Sequence, residues 1–387
     1  MTLKGLNLGS WLNPEGYILG GRNIAYHEFE EKFLQHCSIK DLKVFNSSFR
    51  HNYISEDDFA KISSWGAGLV RLPVNYRFLE SSPYVYDGEC VNFVDNAFSW
   101  AEKYGLLIML DLHAACGSQN CDWHADSSGI ARLWDDEQMR KRTYALWSFL
   151  ANRYSGRAAF YGYDLLNEPV LGGRDRNVLI EFYSDCIRSV RQVDKKKPIY
   201  IEGDLWGQDV EFLEPLFLSC DNVHLSVHAY APIDFSFNFK RDYRYPGMIQ
   251  GQIWDIDQIR KYLARYRDFA QKHNIEVHVG EFGINFRDGA YGELNYIDDM
   301  LTVFGEYGFH WTYWTYKCVA QGCFPDGIVQ YVHNPTWIRR EGPLYGLETM
   351  PELWAAHSDD IVSSWKTDSF SDNVKLLDIL KKHFAGA

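Results

Sequence analysis

No stretch of about 18 apolar residues occurs in this chain, so no segment is long enough to span a bilayer as a helix. Long Lys/Arg runs are missing too. With a formal net charge of −13 over 387 residues, neither nucleic acid nor an anionic membrane is an expected partner. The opening "MTLKGLNLGSWL" lacks the long apolar core and small-residue cleavage site of a signal peptide. It implies a cytoplasmic protein, or a secreted one whose leader has been removed. No Pro/Gly/Ser linker, low-complexity segment or tandem repeat divides the chain. Residues 1–387 are therefore expected to form a single domain, acting as a monomer. Nucleotide signatures are absent as well: there is no "GxxxxGK[ST]", and "GLNLGSWL" is not a Gly-rich phosphate loop.

Cysteine is sparse for a disulfide scaffold, at eight residues in 387. Two pairs share the spacing C-x4-C, Cys116/Cys121 and Cys318/Cys323. Free thiols are expected there ahead of local bridges. Zinc spacings are usually tighter and come with His partners, so no metal or other cofactor is expected.

Aromatic residues, by contrast, are abundant: 16% of the chain, with 13 Trp and 25 Tyr. Most must serve core packing. A surplus of Trp and Tyr outside apolar runs also suits flat ligands such as sugar rings. Eight apolar runs recur along the chain, "LKGLNLGSWL", "GLVRLPVNY", "LLIMLDLHA", "YDLLNEP", "KPIYIEG", "NVHLSVHAY", "EVHVGEFGI" and "HWTYWTYK". Helical patterns separate them. After "WDIDQ", Ile256, Ile259, Leu263, Tyr266 and Ala270 mark one helix face. Ser55 in "SEDD" is a candidate N-cap ahead of Phe59 and Ile62. Eight strands alternating with helices predict an α/β fold, a (β/α)8 TIM barrel with elaborated βα loops. A doubly wound open sheet is the runner-up.

In such a barrel the site lies at the C-terminal ends of the strands. Six of the runs end on polar residues: Arg71 and Asn75, Asp111 and His113, Asn167 and Glu168, His228 and Tyr230, Glu281, and Trp314 with Lys317. Any one could be structural, and Arg71 could simply pair with Asp111. Several on one rim would cost too much to bury unless they serve each other or a ligand. Glu168 and Glu281, at the ends of strands four and seven, face each other across the mouth. Two such carboxylates, one protonated and one ionised, are what acid-assisted glycoside cleavage requires. The acid needs a raised pKa, which a neighbouring carboxylate and partial burial supply. The other must stay ionised, and Arg71 would keep it so. Asn167 suits the sugar 2-hydroxyl.

At these residues the sequence resembles the family 5 glycoside hydrolases of the large retaining (β/α)8 clan, over nearly its whole length. "LLNEP" and "VGEFG" resemble the acid/base and nucleophile motifs, and "LVRLPV", "LDLHAACGSQN", "VHAY" and "YWTYK" follow in order. The resemblance implies Glu168 as general acid/base and Glu281 as nucleophile. It implies substrate-binding roles for Arg71, His113, Asn167, His228, Tyr230 and Trp314. Within the family the sequence is most similar to fungal exo-β-1,3-glucanases, with their "NLGGWLxxE", "HGAPGSQN" and "WxFWSWK"; here these read "NLGSWLNPE", "HAACGSQN" and "WTYWTYK". Glu15 matches the glutamate that grips the terminal glucose in those enzymes.

The chain departs from that pattern at Cys116, in "CDWHADSSG" and in the tail "YVHNPTWIRREGPLYG". The resemblance therefore leaves the linkage and the leaving-group side open. The expected activity is a retaining exo-β-glucosidase or exo-β-1,3-glucanase on β-linked oligo- or polysaccharides. An endo-β-1,4-glucanase, a β-mannosidase and a glycosidase of glycolipids or other glycosides remain as alternatives. A metal-dependent barrel hydrolase would show an HxH at the end of strand one, and a barrel that only binds carbohydrate would lack a carboxylate. Neither condition is met.

Overall fold

A computed structural model describes residues 2–331 and 346–385. Most of the divergent tail, residues 332–345, lies outside the described residues. Each of the eight apolar runs contributes one strand: β1 Lys4–Asn7, β2 Leu69–Asn75, β3 Leu107–Ala114, β4 Phe160–Asp164, β5 Ile199–Glu202, β6 Val223–His228, β7 Val277–Phe282 and β8 His310–Tyr313. They pair in parallel in sequence order, and β8 closes on β1, giving the expected barrel. Closure demands tight backbone approach. At Gly5, paired with Leu69, a Cβ would lie 1.8 Å from the Leu69 carbonyl oxygen, so only glycine fits.

Helices cross over between the strands. Glu56–Ser64 begins at Ser55, whose backbone N–H donates to Asp58 Oδ2 at 2.7 Å. Ile256–His273 begins at Asp255, whose carboxylate accepts from the Gln258 N–H at 2.9 Å. This second helix buries Ile259, Leu263, Tyr266 and Ala270 against the barrel, the face that the spacing predicts. Among the described residues, two small sheets decorate the frame. One is the hairpin Gly247–Ile249/Gln252–Trp254; the other joins Lys317–Val319, Val329–Tyr331 and Ser371–Asp372.

Side chains alternate between the two faces of a strand. Leu69, Met109 and Tyr200 form a separate apolar cluster at the lower end of the barrel. Two residues further along the same strands come Arg71, Asp111 and Glu202, which are fully buried, with Arg71 in contact with both carboxylates. The two-residue period thus sets a polar floor for the mouth on top of an apolar base.

Candidate active site

Arg71 is the hub of that layer. Its Nε donates to Asp164 Oδ2 at 2.8 Å, and its Nη1 to Asn7 Oδ1 at 3.1 Å and Glu281 Oε1 at 2.9 Å. Its Nη2 donates to Asn167 Oδ1 at 2.9 Å and Glu202 Oε1 at 3.4 Å, and lies 3.2 Å from Asp111 Oδ2. Arg71 therefore pairs with Asp111, as its position allowed, and also fixes Glu281. The second oxygen of Glu281 accepts from the Tyr230 hydroxyl at 2.9 Å. Both oxygens are thus held by donors. Asn167 is oriented through its carbonyl by Arg71, and its buried amide nitrogen is left without a protein partner.

Glu168 lies beyond the regular part of β4, which ends at Asp164 rather than running into "NEP". Pro169 disfavours the right-handed helical region at the preceding residue, and Glu168 adopts φ 49° instead. Such a backbone costs roughly 1–3 kcal/mol and persists only when its surroundings over-determine it. Here the Glu168 N–H donates to Glu202 Oε2 at 2.8 Å, while the Asn120 side-chain amide donates to the Glu168 carbonyl at 2.8 Å. One carboxylate oxygen meets His228 Nδ1 at 2.7 Å and the other His124 Nε2 at 3.1 Å.

This environment reverses one expectation. Burial pushes the Glu168 carboxyl up, but the hydrogen bonds and charges of His124 and His228 outweigh it and hold the group well below the usual carboxylate range. For His228, burial favours the neutral ring, but Glu202, Glu281 and Glu168 raise it well above the usual imidazole range. The acid's proton resides on its imidazole neighbours.

Glu168, His228 and Glu281 each offer a ligand atom, all within 4.8 Å of one another. The set does not suit a cation. His228 places Nδ1 against Glu168 and Glu281 and Nε2 3.1 Å from Glu202, so it stands as a cation with no lone pair to give. Arg71 already neutralises Glu281.

The opposite wall is built around Glu15. Its Oε2 accepts from the Trp123 indole at 3.3 Å; its Oε1 is buried without a hydrogen-bond partner, 3.6 Å from His113 Nε2. Burial pushes this carboxyl up to about 8, against the pull of His124. At neutral pH it therefore carries a proton and can both donate and accept. His113 hydrogen-bonds Asp111 Oδ2 through Nδ1 at 2.7 Å, and burial lowers it to about 3, so the ring is neutral. It stacks on Trp314 at 5.3 Å between centroids, and the Trp314 indole donates to the Tyr17 hydroxyl. These walls enclose a cavity of about 270 Å3 that also reaches Glu168, His228, Tyr230 and Glu281. That is just below the roughly 300–1,000 Å3 of drug-sized ligand sites.

Two rim assignments are corrected. Lys317 does not reach the mouth: it begins a strand of the three-stranded sheet, where its Nζ donates to the carbonyls of Tyr53 and Trp365, each at 2.6 Å. Asn75 instead caps Arg77 and donates to Asp126 Oδ2 at 3.2 Å. All eight cysteines are free thiols. Sequence reasoning missed Glu202, although the strand-end rule applied to "KPIYIEG" finds it. It also missed Trp123 and His124, which lie within the divergent "CDWHADSSG", and Trp206, Phe237 and Phe324 around the opening. No local signal marks these last.

The sequence matches the family model for Cellulase (glycosyl hydrolase family 5) over residues 31–318. A β-xylosidase of Phanerodontia chrysosporium is 26% identical over 336 residues, covering 83% of this chain and 68% of its own. Endoglucanase C of Acetivibrio thermocellus is 25% identical over 72% of this chain and 88% of its own. A sporulation-specific glucan 1,3-β-glucosidase of Saccharomyces cerevisiae is 35% identical over 48% of this chain and 46% of its own. In fold, endoglucanase Cel5A of Thermotoga maritima superposes with a TM-score of 0.62 at 19% identity, covering 98% of this chain and 96% of that one. The match spans most of the chain and both facing glutamates, so the protein belongs to glycoside hydrolase family 5 and is a glycoside hydrolase.

Proposed function

We propose that the protein is a retaining, exo-acting β-glycosidase that removes single β-linked sugars, most readily glucose, from non-reducing ends. The observation that carries this reading is the proximity of the two carboxylates. An oxygen of Glu168 and an oxygen of Glu281 lie within 4.8 Å, with His228 Nδ1 in contact with both. Carboxyls about 5–5.5 Å apart suit a covalent double displacement, whereas an inverting pair leaves room for water at about 6.5–9.5 Å.

Glu281 attacks the anomeric carbon, aimed by Arg71 and Tyr230. The glycosidic C–O bond breaks as Glu168 delivers a proton to the departing oxygen. Water then attacks the glycosyl-enzyme, Glu168 takes its proton, and Glu281 is released with the β configuration restored. The Asn167 amide is free to hydrogen-bond the sugar 2-hydroxyl. Glu15, Trp123 and Trp314 supply the wall against a terminal sugar: the unpartnered Glu15 oxygen meets hydroxyls, and the aromatic faces meet C–H faces. An internal sugar would place its next residue where Glu15 and Trp123 meet.

A second reading concerns the leaving group. Trp206, Ile233 and Phe239 near the opening are 39%, 45% and 47% exposed, and Phe237 and Phe324 lie beside them. Exposed apolar surface at a pocket mouth favours glycosides with an apolar aglycone over long glucan chains. Early digests of laminarin, cellulose oligomers and mannan test the primary reading. Monosaccharide release from the non-reducing end is expected. A ladder of oligomers without monosaccharide would replace it with the endo alternative.

A further inference from the structure

His124 lies in the loop after β3, in the stretch that departs from the fungal pattern, and it lines the pocket beside Glu168. Its Nε2 stands between two partners with opposite demands. Glu168 Oε2, at 3.1 Å, calls for a proton on that nitrogen; the Asn120 amide nitrogen, at 2.9 Å, calls for a lone pair. The Asn120 amide cannot flip to resolve this. Its Oδ1 accepts from the Asp122 backbone N–H at 2.8 Å and its Nδ2 donates to the Glu168 carbonyl at 2.8 Å, so reversal would set like against like at both ends. His124 itself is anchored, because Asn13 donates to its carbonyl at 3.0 Å. Either protonation state of the ring therefore finds a partner. The charged ring pairs with Glu168, and the neutral ring accepts from Asn120.

His228 has no such freedom, since carboxylates face both of its nitrogens. Of the two imidazoles on Glu168, only His124 can release its proton without leaving a lone pair buried against a carboxylate.

We propose that His124 is a positioning residue that stores the proton Glu168 passes to the departing oxygen and takes it back after water attacks. This rests on the reading of Glu168 as acid/base. In the first step the proton moves from His124 Nε2 to Glu168 Oε2 and on to the leaving oxygen, which departs with the C–O electron pair. In the second step Glu168 takes the proton of the attacking water and returns it to Nε2, leaving no net change in the pair.

The groups facing His124 are Glu168, Glu15 from the loop after β1, Asp122 from its own loop, and the neutral His113 ring at 5.9 Å. Burial favours the neutral ring, but Glu168, Glu15 and Asp122 raise it to about 9. The stored proton is therefore present through neutral pH and lost on the alkaline side.

The test compares kcat/KM for an alkyl β-glucoside, which needs protonation to depart, with that for an activated aryl β-glucoside, which does not. Taking the ratio cancels Glu15, which binds the same sugar in both. In the wild type the ratio is expected to stay level and fall near pH 9. In His124→Gln the fall should come at least about one pH unit earlier, with kcat/KM for the alkyl glucoside reduced more than that for the aryl one. Equal losses on both substrates with an unmoved profile would reduce His124 to a structural role and overturn the proposal.

Nitrogen-15 NMR of the histidine rings provides an independent check. The His124 signal should titrate with the kinetic fall, and in Glu168→Gln its titration should move to lower pH. A wild-type His124 titrating at an ordinary imidazole pH would equally overturn the proposal. Loss of alkyl turnover without aryl sparing in Glu168→Ala would instead sink the acid/base reading beneath it.

Discussion

The floor and the mouth of the barrel are built on different terms. At the floor, one arginine is shared by Asp111, Asp164, Glu202 and Glu281, every partner projects from a strand or strand end, and each group is buried. At the mouth, the working residues come from loops after β1, β3, β5, β6 and β8, and several rest on left-handed backbone. Leu205 at φ 55°, Trp206 at 57° and Phe324 at 68° are not glycines. The floor sets which reaction is possible. The mouth sets which molecule reacts.

Exchanges at the floor should therefore abolish chemistry or folding whatever the substrate, whereas exchanges at the mouth should sort substrates. The largest effect is expected at the reacting carboxylates. Glu281→Gln should lower kcat on every substrate by about 10^4-fold or more, because no nucleophile remains. Glu168→Ala should spare activated aryl glycosides and regain turnover with azide as a β-glycosyl azide. Steady-state kinetics on matched aryl and alkyl glycosides read both, and equal losses for the two variants on both substrates would break the division of roles.

Next comes Arg71→Met, which strands several buried carboxylates without their cation. A broken buried ion pair typically costs about 3–5 kcal/mol. Chemical denaturation should show a loss of that size or failure to fold. A stable Arg71→Met protein that retained activity would mean the floor is not organised by this residue.

Glu15→Ala belongs to the mouth and should lower kcat/KM by about 10–10^2-fold, the worth of two hydrogen bonds of a neutral carboxyl at about 0.5–1.5 kcal/mol each. Since burial pushes this carboxyl up to about 8, it carries a proton below that pH and loses it above. Glu15→Gln, neutral with donor and acceptor alike, should be milder than Ala at pH 6. A Gln variant as impaired as Ala would show that a charge, not a shared proton, holds the sugar.

The smallest effect is expected at Trp206, held by its indole hydrogen bond to Asp122 Oδ2 at 2.8 Å. Along a series of alkyl β-glucosides, kcat/KM should rise by up to about fourfold per buried methylene, at about 0.8 kcal/mol each, and then level off. Trp206→Ala should flatten that rise while leaving methyl glucoside little changed. A flat wild-type series would remove the apolar-aglycone reading and leave the glycosidase reading intact.

The same contrast explains what was legible in the sequence. Strand runs carry a two-residue alternation, so a polar residue at the end of an apolar run announces itself, and Arg71, Asp111, His113, His228 and Glu281 could all be found that way. Glu202 obeys the same rule. Asn75 and Lys317 obeyed it too, but the structure sends one to a cap and the other to a separate sheet. Neighbours, not spacing, decide such cases.

The loop residues carry no period. His124 and Trp123 reach the pocket because their loop is tied down by Asn13, Asn120 and Asp126, contacts between segments far apart in the chain. The Glu168 environment is hidden from the sequence for the same reason. Partial burial is legible in sequence, but the imidazole of His124 that joins His228 in outweighing it is not.

The claim on which the rest depends is a double displacement through Glu281 with Glu168 as acid/base. It is tested most directly by following the anomeric proton of the released sugar by NMR during the first minutes of hydrolysis, before mutarotation. The account predicts that the β anomer appears first and the α anomer grows only at the mutarotation rate. Early appearance of the α anomer would contradict it.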